Sequence, residues 1–291
     1  MQGRMLVVLL ILLVDFFSSR QSLSAPSIPD LSSLIPSGLG NAFVQTVGLN
    51  MDHRSYQPAT ALGMSLGLDV GLETTLVQPP ASLSSALGSL GSMGGAGSPS
   101  SSASSSSPTI PIIPSIRLHI HKGISKKIDI GFSALPTMPS WPYVGGTLLM
   151  GGDIKVVIWE PEEGATWALR GSYNVNNLNI NYTGYAISVQ TATITPQLLI
   201  SKKLSFADPY LGLGYQYTYG SLQLTVPVPS LSPPLPSIAP IVVTQSGSGA
   251  GTFFFGGISM KVPLIGLKFT IEGAYSPLGM NYLGTKIGFE M

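Results

Sequence analysis

The sequence predicts an all-β protein: a single antiparallel transmembrane β-barrel of about ten strands, within a range of eight to twelve. Three observations lead there. The chain is apolar yet has no run of apolar residues long enough for a membrane helix. From residue 65 onward its apolar residues recur with a period of two. The connections between these alternating segments are themselves alternately short and long.

Charged residues make up 9% of the 291 residues, and the mean hydropathy is +0.36. A typical soluble domain carries about 25% charged residues, so water does not suit this surface. A spanning helix needs roughly 20 consecutive apolar residues. The longest clean run, Met5–Val14, has ten. A barrel resolves the conflict, because its lipid-facing residues are spread one in two along many strands. With no cysteine, disulfides, thiolate metal sites and a lipid-anchor cysteine are excluded. The net charge of +1 gives no nucleic-acid surface.

Residues 1–25 read as an export signal: Arg4 supplies the basic start and Met5–Val14 the apolar stretch, with cleavage after Ala25 or nearer Ser18 and Ser19. An uncleaved anchor is the alternative. Residues 26–60 read as an irregular N-terminal periplasmic segment with a short helix near Gly40–Leu49, and 61–291 as the barrel.

Ten strands follow at about 65–78, 114–122, 127–135, 149–159, 165–175, 184–202, 209–224, 252–262, 267–277 and 281–291. The alternation is plain in the ninth, where Leu267, Phe269, Ile271, Gly273 and Tyr275 oppose Lys268, Thr270, Glu272 and Ala274. The sixth slips phase between Thr191 and Pro196, which predicts a bulge or break. Long loops are expected at 79–113 and 225–251, the first holding a serine run and the second a proline cluster that cannot pair as a central strand. Tight turns on one side and long loops on the other are the habit of bacterial outer-membrane barrels, and an even strand count puts both ends in the periplasm.

Charge placement sharpens the reading. Twelve charges fall on the polar phase of the strands: Asp69, Glu73, Arg117, Asp129, Asp153, Lys155, Arg170, Lys261, Lys268, Glu272, Lys286 and Glu290. Six are acidic and six basic, so a neutral lumen network is expected. A lipid-facing Arg or Lys at mid-membrane costs about 2–4 kcal/mol, and pointing inward removes that cost. A lumen this narrow is either filled by these side chains or left as a small polar path. Trp159, Trp167, Tyr173 and Tyr275, with Tyr182 and Tyr219, are expected in aromatic girdles at the membrane surfaces.

Little else points to chemistry. His119 and His121 share the inward face of the second strand, a spacing able to hold a metal. No third ligand is identifiable in the sequence, and pairing with nearby acids is the simpler expectation, so neither a metal site nor a cofactor is assigned. The long loops contain almost no Asp, Glu or His, so no catalytic residues and no enzymatic activity are expected. The glycines at 145–146 and 247–251 do not open a helix after a strand and are not phosphate cradles.

The segments GLDVGLETTL, KKIDIGFSALP, GGDIKVVI, ALRGSYN, DPYLGLGYQYTYG, FTIEGAYSP and YLGTKIGFEM, in that order, resemble an uncharacterised family of bacterial outer-membrane β-barrel proteins over residues 60 to 291. The resemblance implies a single barrel in the outer membrane, with membrane lipid and the barrel assembly machinery as its partners and no assigned activity. It also implies a C-terminal aromatic for assembly; here Phe289 is third from the end and Met291 is last. Two roles are open: a structural or surface-interaction protein, or a narrow channel or transporter for small solutes. The external ligand is not identified by any residue.

Overall fold

The structure, a computed structural model, describes residues 38–64, 66–78, 113–135, 144–182, 185–226, 240–262, 265–277 and 281–291. One helix, α1 (Leu39–Asn50), precedes ten strands: β1 (Leu68–Gln78), β2 (Ile113–Gly123), β3 (Ile128–Leu135), β4 (Val144–Trp159), β5 (Thr166–Tyr182), β6 (Tyr185–Ser201), β7 (Ala207–Val226), β8 (Ile241–Lys261), β9 (Leu267–Tyr275) and β10 (Asn281–Glu290). Each pairs antiparallel with its sequence neighbours, and β1 closes on β10 from Asp69↔Glu290 to Gln78↔Asn281. The chain is therefore a closed ten-stranded antiparallel barrel. Closure pairs the lower wall on both sides, while β8 from Ile241 to Phe253 pairs only with β7 among the described residues.

The period-two phase holds around the wall. Val70, Leu72, Leu118, Ile120, Ile130, Phe132, Ile154, Leu169, Phe269, Ile271, Leu283 and Ile287 are exposed on the outer face. Among the described strand residues the one charge on that phase is Lys122, at the lower end of β2. "Lower" here means the rim carrying the short turns 124–127, 160–165 and 202–206.

The wall is not of even height. β3 and β9 have 8 and 9 residues, whereas β5 to β8 have 17 to 21. A strand crosses a bilayer with about 9–11 residues, so this side stands a further 6–10 above the band. The outward residues there are uncharged and mostly polar (Asn177, Asn179, Ser188, Gln190, Ser221, Gln223, Thr244, Ser246 and Ser248), with Val242 an exposed apolar exception. Exposed Tyr173, Tyr217 and Tyr219 mark the change, with Tyr173 and Tyr217 level through their common partner Ile194. Tyr275 is exposed beside Phe254, and at the opposite rim Trp159 is exposed while Trp167, its partner across the turn, is half-buried.

Several strand limits differ from those predicted. β8 starts at Ile241 instead of 252, so residues 241–251 of the expected loop 225–251 are strand. Its Gly/Ser stretch shows no apolar alternation, and the β7 ladder supplies the order that the side chains do not. β5 runs through Asn174, Asn176, Asn177, Asn179 and Asn181, residues with low strand propensity, and pairs with β6 as far as Tyr182↔Tyr185. The expected connection 176–183 is therefore two residues. β4 begins at Val144, with register shifts against β5 at each end. The bulge expected in β6 is absent: register against β7 is the same on both sides of Thr195–Pro196. Proline there faces outward, and its missing amide removes bonds without shifting the ladder. The loop at 79–113 falls, except for Ile113, outside the described residues, as do the serine run and the signal segment 1–25.

The largest difference concerns the N-terminal segment. Residues 26–60 were expected in the periplasm, but their described part, 38–60, lies inside the barrel. α1 sits in the tall upper half, where Leu39, Phe43 and Val47 pack on inward-facing Ile187, Val189, Leu222 and Leu224. Ten of its twelve residues are buried, and the strands it packs against are β5 to β8. Its two glycines allow the close approach. A Cβ on Gly48 would collide with the Thr218 side chain, and one on Gly40 would stand 2.7 Å from Gln245 Cβ. The chain then descends through the lumen and enters β1 at the lower rim, where Gly123 N–H bonds to Gly67 O at 2.8 Å.

Candidate functional site

The lumen has two unlike sides. β5 to β8 contribute apolar layers: the upper cluster around α1, and a lower one of Ala168, Leu199, Tyr210, Phe253 and Phe255 with Val157 and Ala59. On β8 both phases are apolar near the middle, since Phe253 and Phe255 point in while Phe254 points out. Most of the ionic groups lie opposite, on β9, β10 and β1 to β4.

Ten of the twelve predicted lumen charges are buried; Lys261 and Glu290 stand at the lower rim. They form two chains of contacts. In the first, Lys268 Nζ lies 3.0 Å from Asp69 Oδ2 and 2.7 Å from Glu290 Oε2. Lys286 Nζ approaches Asp69 Oδ1 at 2.7 Å, and Lys261 reaches Glu290 at 3.0 Å. In the second, Lys155 Nζ lies 2.9 Å from Asp129 Oδ2.

The other predicted charges are not partnered by opposite charge alone. Arg170 donates to Gln197 Oε1. Glu272 accepts from Tyr210 and Tyr282 hydroxyls at 2.7 and 2.6 Å. Arg117 stands beside Glu73 in register, but its guanidinium donates to Met51 O and to Asn174 Oδ1. Burying a charge without partners costs several kcal/mol, which is why each has found an ion, a phenol, an amide, a carbonyl or an imidazole.

Sequence reasoning missed the other half of this site, residues 51–62, which run through the lumen as a plug. Asp52 Oδ2 accepts from Thr195 Oγ1 at 2.6 Å and Gln216 Nε2 at 2.9 Å. The Arg54 guanidinium lies 3.9 Å over the Tyr282 ring and donates to Asn50 O. The Tyr56 hydroxyl meets Thr75 Oγ1 at 2.5 Å. Gln57 donates to Asp69 at 3.3 Å, Ala59 N–H to Ser201 Oγ at 3.0 Å, and Leu62 N–H to both oxygens of Asp129 at 3.1 Å. Tyr56 adopts φ 50°, a left-handed backbone rare for its type, held by these contacts. A signal was present: Asp52, His53 and Arg54 are the only charged or histidine residues between 31 and 68.

His119 and His121 face inward from β2, as read from the sequence, and the plug brings His53 to them. The ring centroids are 5.2 Å (His53–His119), 5.6 Å (His119–His121) and 6.1 Å (His53–His121) apart. Glu73 bonds His119 Nε2; Asp153 Oδ2 bonds His53 Nε2 at 3.0 Å and His121 Nε2 at 3.3 Å. Below the plug, a cleft of about 190 Å³ opens to the lower rim between Gln57, Thr60, Lys155, Lys203, Lys268 and Glu290.

No family model matches the chain, and no curated protein does. Among solved structures it is similar to Ail, the attachment invasion locus protein of Yersinia pestis, at 8% identity and TM-score 0.31, covering 77% of this chain and 94% of that one. Ail in complex with the heparin analogue sucrose octasulfate gives 10% identity, the same coverage and TM-score 0.27. The toluene transporter TbuX of Ralstonia pickettii gives 7% identity and TM-score 0.26, covering 77% of this chain and 88% of that one. Likenesses of this degree assign no role.

Proposed function

We propose that the chain is a bacterial outer-membrane barrel, closed by its own N-terminal segment, that works through its outer surface as a structural or surface-interaction protein. The observation that carries this reading is the filled lumen: residues 39–62 occupy it from the tall upper wall to the lower rim. Membrane insertion is supported by the outward apolar belt with its single charge at the lower end. Short turns face the periplasm and the long connections face outward, as bacterial barrels do. On that orientation the uncharged polar wall of β5 to β8 stands outside the membrane, and hydrogen bonding is its natural mode of contact.

Full-length protein in planar lipid bilayers is expected to give no stable conductance; discrete steps would overturn the reading. A second reading, a transporter for small solutes, is favoured by one observation. The plug below α1 is held mostly by hydrogen bonds and ion pairs, which water can replace, and it borders the lower cleft. Under it, conductance would appear in the native protein and vanish when an Ala59→Cys/Ser201→Cys pair ties plug to wall.

A further inference from the structure

We infer that His53, His119 and His121 form a binding site for a divalent transition-metal ion of the zinc class, which fastens the plug to the barrel wall. Three observations carry it.

The first is convergence. One ligating nitrogen from each histidine lies within 4.8 Å of the other two. A tetrahedral site with Zn–N of 2.0–2.1 Å separates its nitrogens by about 3.4 Å. A bound ion would draw the three nitrogens together by up to about 1.4 Å.

The second is an unmet valence. Nδ1 of His119 and Nδ1 of His121 are buried without a hydrogen-bond partner among the described residues. Pairing with acids accounts for the Nε2 atoms of both rings and leaves these two nitrogens unexplained. Buried polar atoms are rarely left so.

The third is orientation. Each imidazole presents Nε2 to a carboxylate, His119 to Glu73 and both others to Asp153. A ligating histidine commonly donates its other N–H to a carboxylate in this way, which fixes the tautomer and raises its basicity. With Nε2–H so engaged, the free lone pair of each ring is at Nδ1. On His53 that atom now bonds Ser133 Oγ at 2.6 Å, and a hydroxyl can yield it. Glu73 and Asp153 place buried negative charge beside the rings. An all-imidazole set suits zinc, copper or nickel rather than calcium or magnesium.

The consequence is mechanical. His119 and His121 belong to β2, while His53 belongs to the plug, so a bound ion ties the two together midway down the lumen. This inference is independent of whether the barrel conducts.

The test uses tag-free, full-length protein in detergent micelles, stripped with a chelator and equilibrated with Zn²⁺ or Co²⁺. One equivalent of zinc is expected per chain, with visible Co²⁺ bands of a nitrogen-ligated site. Zinc should raise the melting temperature. His119→Gln/His121→Gln should weaken binding at least a hundredfold, and His53→Gln at least tenfold with loss of the zinc-induced thermal shift. Ser133→Ala keeps all three ligands and should bind at least as tightly as the native chain. The gel shift on heating reports folding of each variant. Should the double variant not fold, the native stoichiometry and the His53→Gln and Ser133→Ala titrations decide. Less than stoichiometric zinc in the native protein, or unchanged affinity in a folded histidine variant, overturns the site.

Discussion

Lys155 and Asp129 are register partners on β4 and β3, their charged atoms 2.9 Å apart, and both also grip the lower end of the plug. Lys155 Nζ donates to Thr60 O at 2.7 Å and Pro58 O at 3.0 Å, while Asp129 accepts the Leu62 N–H. One buried ion pair thus serves wall and plug together. Replacing Lys155 with Met strands the Asp129 carboxylate and should cost about 3–5 kcal/mol. Lys155→Met/Asp129→Leu removes both charges and should recover most of that loss. Urea unfolding in lipid vesicles measures both, and equal losses in the single and double variants would refute the pairing.

Phe43 sits in the apolar cluster that docks α1 on β6 and β7. Phe43→Ala should weaken docking by about 3–4 kcal/mol, the usual cost of emptying an aromatic site. The wall has its own closed ladder, so the gel shift on heating should persist while limited proteolysis cuts within residues 39–50. Loss of the barrel itself would show that α1 is needed for closure.

Gly284 faces Tyr56, and a Cβ there would collide with the Tyr56 hydroxyl and stand 2.7 Å from its Cζ. Gly284→Ala should break the Tyr56–Thr75 hydrogen bond and cost about 1–3 kcal/mol by overpacking. Tyr56→Ala relieves the collision, so the double variant should lose clearly less than the sum of the single ones. Strict additivity in this cycle would mean the two residues do not touch.

Ile271 and Thr244 both face outward, one in the apolar belt and the other on the tall polar wall. In vesicles Ile271→Arg should cost about 2–4 kcal/mol. Thr244→Arg, outside the bilayer, should change stability by about 0.5 kcal/mol or less. Similar costs at the two positions would displace the lipid band from where the exposed tyrosines put it.

The strands were legible wherever lipid imposes alternation. Leu267–Tyr275 and Leu283–Met291 each alternate without a fault, and their observed limits differ from the predicted ones by no more than two residues. Reading failed above the lipid band. At 241–251 and 176–182 water replaces hydrocarbon outside, so no apolar phase is required and glycine, serine and asparagine hide the strand. In β6 the apparent slip of phase came from inward Ile187, Val189 and Leu199, which face α1 and the lower apolar cluster rather than water.

The site was half legible. His119 and His121 could be placed on one inward face because a strand's period is local. His53, 66 residues before His119, could not, since no local rule says that a segment ahead of the first strand will turn back into the lumen.

What the sequence alone determined is the barrel: its all-β class, its ten strands, and the inward side of its ions. Hydrocarbon excludes charge residue by residue, and that exclusion is written in the order of the chain. What only the tertiary structure decided is how the lumen is filled. The fit of Gly48 to Thr218, of Tyr56 to Gly284 and of His53 to the β2 histidines depends on shape and on pairs distant in sequence. Such matches exist only once the wall has closed around the plug.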